Sequence, residues 1–202
     1  GHNEYTRDRD DMLAELGYVA LAVDMYGDGK QAAHPDDAGK FSGMVMSNLD
    51  EAKARFDAAL ETLKQNPYVY ADQIGAIGYC FGGSVVLSMA NAGYDLDAVA
   101  AFHAGVELPI PPSADIQAKI LVANGADDPF VSAESIVAFK KGMDKVNADY
   151  TYISYPGAVH AYTSKGADSL GEKFDLPLKY NKEADEDAWA QMQKLFETAF
   201  NQ

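Results

Sequence analysis

One stretch of twenty residues constrains the fold more than any other. In I-G-A-I-G-Y-C-F-G-G-S-V-V-L-S-M-A-N-A-G, residues 74 to 93, the hydrophobic period changes at a single point. Ile74 to Tyr79 is a short apolar run after the polar Asp72-Gln73, which reads as a buried parallel strand. Beyond it, Val85, Val86, Leu87 and Met89 read as a helix that stops at Gly93, the usual residue just past a helix end. Cys80, the only cysteine, therefore sits at a strand-to-helix turn. Such a turn forces its middle residue into strained dihedrals, and the neighbours at 78, 82 and 83 are expected to lack a Cβ so as not to collide. All three are glycine. The pattern lifts the side chain to the carboxyl end of the sheet, and the following helix points free N–H groups and a positive partial charge at the sulfur. A buried cysteine is more often a small hydrophobe. This context instead favours an exposed and activated thiol.

The rest of the chain alternates strand and helix signals. Thr6 to Leu16 reads as a helix closed by Gly17, and Tyr18 to Val23 as a strand. Residues 27 to 43, with Gly27, Gly29, Pro35, Gly39 and Gly43, read as a loop beyond that strand. Leu49 to Leu63 returns to helical period, and Ala98 to Phe102, Lys119 to Ala123 and Thr151 to Tyr155 are further short strands. A helix over Ser132 to Val146 and another from about Glu183 to Phe200 complete the pattern. Alternation of this kind predicts one α/β domain over residues 1 to 202: a mostly parallel sheet, helices on both faces, the active site at the carboxyl ends of the strands.

Composition narrows the function. Sixteen Lys and Arg against 31 Asp and Glu give a net charge of −15, which repels phosphate backbones and disfavours nucleic-acid binding. No apolar run is long enough to span a bilayer, so no membrane association is expected. One cysteine and four scattered histidines exclude a disulfide framework and a Cys-rich zinc site; no cofactor or metal is expected. We expect a cytoplasmic location, with any signal peptide lying upstream of Gly1.

A nucleophilic cysteine needs a base within hydrogen-bond reach and a third group to orient that base. His2, near the start, and His34, in a polar glycine-rich segment, read as surface residues. His103 follows a strand and His160 lies in the loop after the last strand, so both would reach the active edge. Asp127 and Asp128 follow another strand, and one of the pair reads as a turn or capping residue. On the residues alone, both choices stay open.

G-Y-C-F-G-G at 78 to 83, G-A-D-D-P-F-V at 125 to 131 and G-A-V-H at 157 to 160 resemble the dienelactone hydrolase family, a Cys-His-Asp branch of the α/β-hydrolases. N-E-Y-T-R-D-R, L-A-E-L-G-Y-V-A-L-A-V-D-M-Y-G-D-G-K and Y-N-K-E-A-D-E-D-A-W-A extend the resemblance over nearly the whole chain. It implies Cys80 as nucleophile, Asp128 as orienting acid and His160 as base, with the Phe81 backbone N–H as an oxyanion donor. Met25, Tyr26, Phe130 and Tyr162 are expected to line the acyl pocket. The implied activity is hydrolysis of an ester or lactone through a thioester. A catalytically silent scaffold of the same fold, binding a small molecule or a protein partner, is the alternative.

Two departures from the family pattern carry expectations of their own. Dienelactone hydrolase holds a carboxylate-bearing substrate with two arginines, and the matching places here are Asp28 and Ser164. A neutral small substrate is therefore expected. The family's first three strands precede the stretch aligned with Gly1, and they bring a glutamate toward the cysteine and a second oxyanion N–H. The resemblance thus implies an N-terminal segment supplied from elsewhere, or a homodimer that lends a strand.

Overall fold

The computed structural model describes residues 1–200, and they form two compact units that divide at Asp72 and Gln73. The first unit holds three helices, α1 (Glu4–Glu15), α2 (Pro35–Ser47) and α3 (Leu49–Lys64). Asn3 opens α1 by accepting the Thr6 N–H at 3.1 Å, and Asn48 opens α3 by accepting that of Glu51.

Two sequence expectations in this unit are corrected. Residues 18–23 lie in no strand among the described residues. Their apolar run has the composition of a strand, but a strand exists only through a ladder, and Val19 and Leu21 are exposed. The expected loop over 27 to 43 ends at His34. Pro35 occupies the first helical turn, where its missing N–H costs nothing, the His34 ring accepts the Asp36 N–H, and Asp36 and Asp37 complement the helix dipole. Those starting signals outweigh the helix-weakening Gly39 and Gly43 inside α2.

The second unit is an α/β sandwich. Its four strands, β1 (Gly75–Tyr79), β2 (Ala98–Phe102), β3 (Lys119–Gly125) and β4 (Tyr150–Tyr155), are parallel and ordered β1-β2-β3-β4. Between and after them run α4 (Phe81–Asn91), α5 (Ala133–Lys145), α6 (Ala167–Phe174) and α7 (Lys182–Phe200). All of β2 is buried, as befits a central parallel strand covered on both faces. The coverage follows from the pleat of β1. Gly75 faces the Phe196 and Phe200 rings of α7, whereas Gly78, three residues on and so on the opposite face, meets the first turn of α4. Helix α6 was not foreseen; it is eight residues long and ends at Asp175 in a left-handed conformation. Among the described residues no helix is long and apolar enough to cross a membrane.

Past the end of β2 the ladder is continued by a side chain. Asn124, fully buried on β3, accepts the Ala104 N–H and donates to the Ala104 carbonyl, each at 2.9 Å, and donates to the Tyr152 hydroxyl oxygen. A primary amide reproduces a backbone rung at the point where the two main chains part.

Candidate active site

The turn between β1 and α4 places Cys80 at φ 52° and ψ −118°, a conformation that an L-residue keeps only where its surroundings enforce it. The enforcement is local. The Cys80 N–H donates to the Phe102 carbonyl of β2, and the Cys80 carbonyl accepts the Ser84 N–H of the new helix. A Cβ at position 78 would collide with the Gly82 carbonyl, and one at 83 would lie 2.6 Å from the Ala104 methyl. Position 82 corrects the expectation of three required glycines: a Cβ there meets nothing within 4 Å. It sits on the open side of the first turn, so only two of the three close approaches exist.

The other two side chains come from loops at the carboxyl ends of β3 and β4. Asp128 is buried, its Oδ1 accepts the Phe130 N–H at 2.9 Å, and its Oδ2 lies 2.8 Å from His160 Nδ1. His160 Nε2 lies 3.1 Å from Cys80 Sγ. The carboxylate fixes the proton on Nδ1, which leaves Nε2 aimed at the sulfur.

The electrostatics of the pair follow from this geometry. Cys80 is open to solvent, yet crowding around the sulfur pushes its thiol up; the hydrogen bond and charge of His160, with the Phe81 N–H, outweigh that, and the net shift is below the ordinary 9.0. Burial likewise pulls the His160 imidazole down, but the hydrogen bond to Asp128, then the bond and charge of Cys80, push it up to about 10. Both shifts act in the same sense, favouring a charged sulfur beside a charged ring over the neutral pair.

The loop that bears His160 is stitched at many points. The Ala126 N–H donates to Tyr155, the Asp127 N–H to Ala158, and the Gly157 N–H to the Asp127 carboxylate at 3.1 Å. On the other side, the Lys179 N–H donates to the His160 carbonyl and that of Asn181 to Tyr162. Asp127 thus clasps the loops of Asp128 and His160 together.

The remaining singled-out residues divide. Phe130 is 55% exposed and its ring stands perpendicular to that of His160, centroids 5.0 Å apart. Tyr162 corrects an expectation: it is fully buried, and its hydroxyl donates to the Ala123 carbonyl at 2.9 Å, so it supports the loop from beneath and does not line a pocket. A loop position alone does not tell which way a side chain turns. Met25 and Tyr26 are buried within the first unit, where the Met25 carbonyl accepts from Arg55 and the Tyr26 ring packs on Phe41. Asp28, in the same unit, is paired with Lys30 at 2.9 Å, which lowers its pKa and offsets its charge. Ser164 closes a turn through its N–H to Ala161. His103, which its place after a strand also put at the active edge, is buried with its ring edge to face on that of His160, while the sulfur is met by His160 Nε2. Among the described residues no group of three His, Cys, Asp or Glu is arranged to hold a metal.

A parallel sheet covered on both faces, with a cysteine, a histidine and an aspartate meeting at its carboxyl edge, defines an α/β-hydrolase. The profile of the dienelactone hydrolase family matches residues 1–200, and the chain belongs to that family of ester- and lactone-hydrolysing enzymes. It is 31% identical over 157 residues to Protein usf of Aquifex pyrophilus, a match that covers 77% of this chain and 68% of that protein. Among solved structures, m3DLH is 34% identical with a TM-score of 0.91, over 99% of this chain and 82% of its own. A dienelactone hydrolase-like promiscuous phosphotriesterase from metagenomic libraries is 32% identical with a TM-score of 0.89, again over 99% of this chain and 82% of its own.

Proposed function

We propose that the enzyme cleaves a small neutral carboxylic ester or lactone with Cys80 as nucleophile, His160 as acid and base, and Asp128 as the group that orients His160. The observation that carries this reading is the 3.1 Å approach of His160 Nε2 to Cys80 Sγ with Asp128 at 2.8 Å on the opposite nitrogen. The thiolate adds to the carbonyl carbon, and the negative charge that develops on oxygen meets the Phe81 N–H at the head of α4. As the carbon–oxygen bond breaks, the imidazolium gives its proton to the departing alkoxide and a thioester remains. Water then attacks the thioester while His160 takes its proton, and the thiolate leaves with the acid product. Phe130, exposed beside His160, offers an apolar wall to the group that departs.

Neutral substrates are favoured by Ser164 at one of the family's arginine places and by the net charge of −15. The Lys30 partner of Asp28 weakens the argument from the other place. Phosphotriesters form a second substrate class to assay, because the phosphotriesterase relative is 32% identical over 99% of this chain.

Turnover of a short-chain aryl ester tests the reading directly. Cys80→Ala is expected to abolish it, as is prior alkylation of the wild type with iodoacetamide, while the melting temperature changes little. Near-wild-type turnover by Cys80→Ala would overturn the assignment.

A further inference from the structure

A second histidine braces the loop that carries the first. His103 follows β2, is 3% exposed and adopts φ 38°, a left-handed conformation uncommon outside glycine. Its Nε2 lies 2.8 Å from the hydroxyl of Thr163, which is itself buried and stands three residues beyond His160. The His103 backbone N–H and the Tyr162 hydroxyl both donate to the Ala123 carbonyl at 2.9 Å, so one carbonyl of β3 fixes the end of β2 and the His160 loop together. The two imidazole rings meet edge to face with centroids 5.2 Å apart, and Phe130 meets the His160 ring at 5.0 Å. His160 therefore has an aromatic neighbour at two places on its surface.

Packing alone does not account for this choice of residue. A buried imidazole costs free energy that a phenyl or isobutyl group would not, and the left-handed backbone adds strain. Both costs are sustained where the residue after β2 meets the His160 loop. We propose that His103 is a positioning residue: through Thr163 it fastens the His160 loop to the end of β2, and through its ring it holds the His160 imidazole in the plane that points Nε2 at Cys80. The proposal rests on the reading of Cys80, His160 and Asp128 as the reacting set.

The test removes the bond and keeps the shape. Thr163→Val should lower kcat for an aryl ester by about ten- to a hundredfold, the scale expected when a reacting group is displaced by up to ~1 Å, with little change in KM. It should also move the pH profile of Cys80 alkylation by iodoacetamide upward, toward an ordinary thiol, because a tilted imidazole no longer holds the thiolate. His103→Gln, which can still reach Thr163, should retain more of both properties than His103→Leu. A fall in melting temperature with an unchanged alkylation profile and unchanged kcat in Thr163→Val and His103→Leu would reduce His103 to packing and overturn the proposal. The alkylation profile needs no substrate, so it judges His103 even where the ester assay fails.

Discussion

Cys80 and His160 lie in hydrogen-bond contact, yet they are held there in opposite ways. The cysteine is fixed mainly by its own neighbourhood: a strand end, a helix start, the close approach of Gly78 to the Gly82 carbonyl and a strained pair of dihedrals lie within six residues of chain, and only the Phe102 carbonyl and the Ala104 methyl come from the adjoining strand end. The histidine is fixed by distant segments. Its loop is fastened to the loop after β3, to residues 179 and 181, and to the end of β2. Local steric necessity leaves a mark in the sequence, because only certain residues fit; a loop stitched largely through backbone amides leaves almost none. Cys80 is accordingly rigid by construction and His160 rigid by assembly.

The strongest way to break this contrast is to add one methyl group at the tightest point. Gly78→Ala places a Cβ against the Gly82 carbonyl, where neither backbone can yield, and the loss of stability should exceed the ~1–3 kcal/mol usual for overpacking. Thermal unfolding followed by circular dichroism reads the effect. An unshifted transition would mean that the turn has slack and that Cys80 is no more locally determined than His160.

Asp128→Asn probes the assembled side. It should leave the fold intact and reduce kcat by about 10³–10⁴, because an amide that donates to Nδ1 stabilises the wrong tautomer. A loss under tenfold would show that the stitched loop orients His160 without its carboxylate, which would sharpen the contrast at the expense of the mechanism.

The pH dependence of kcat/KM reads both halves at once. Activity should rise with pH as the thiol ionises, on a limb below the ordinary 9.0, and fall as the imidazolium loses its proton near 10. In the Asp128→Asn variant the falling limb should move down toward 6.5, since the carboxylate's hydrogen bond is what most raises the imidazole against its burial. A falling limb that stays in place would remove Asp128 as the cause.

Gly82→Ala should have the smallest effect, and of opposite sign to Gly78→Ala. The added methyl group meets nothing within 4 Å, and a glycine replaced in a helix typically gains about 0.4–1 kcal/mol. Destabilisation would indicate that the third glycine has a steric role after all.

The same contrast governs what could be read in advance. Strand β4, half-exposed, was legible from its β-branched and aromatic residues. Strands β2 and β3 were legible because parallel strands buried on both faces are near-continuous apolar runs, and Ala98–Phe102 is bounded as its composition suggests. The change of period at Cys80 was legible for the same reason. Residues 18–23 misled because an apolar run of strand composition says nothing of a ladder, and residues 35 to 43 misled because glycine inside a helix looks like loop. The eight residues of α6 are too few to establish a period. Within the site, the meeting of residues 80, 128 and 160 follows from the quoted motifs, whereas the direction of Tyr162, the clasp of Asp127 on Gly157 and the approach of His103 to Thr163 depend on segments 30 to 60 positions apart.

The amide of Asn124 has a consequence for how the protein ages. It precedes Gly125, a small neighbour that leaves a flexible chain open to loss of the side-chain amide nitrogen, and asparagine is among the thermolabile residues. In the folded chain that chemistry is held off, because the amide is out of water and bound on both its oxygen and its nitrogen. Each excursion to the unfolded chain removes the protection. An Asn124→Asp conversion made there would return a carboxylate, with no proton to give, against the Ala104 carbonyl where a donor belongs. Heat damage in this enzyme would then be recorded as a chemical change at one buried residue, and unfolding would become harder to reverse with every cycle.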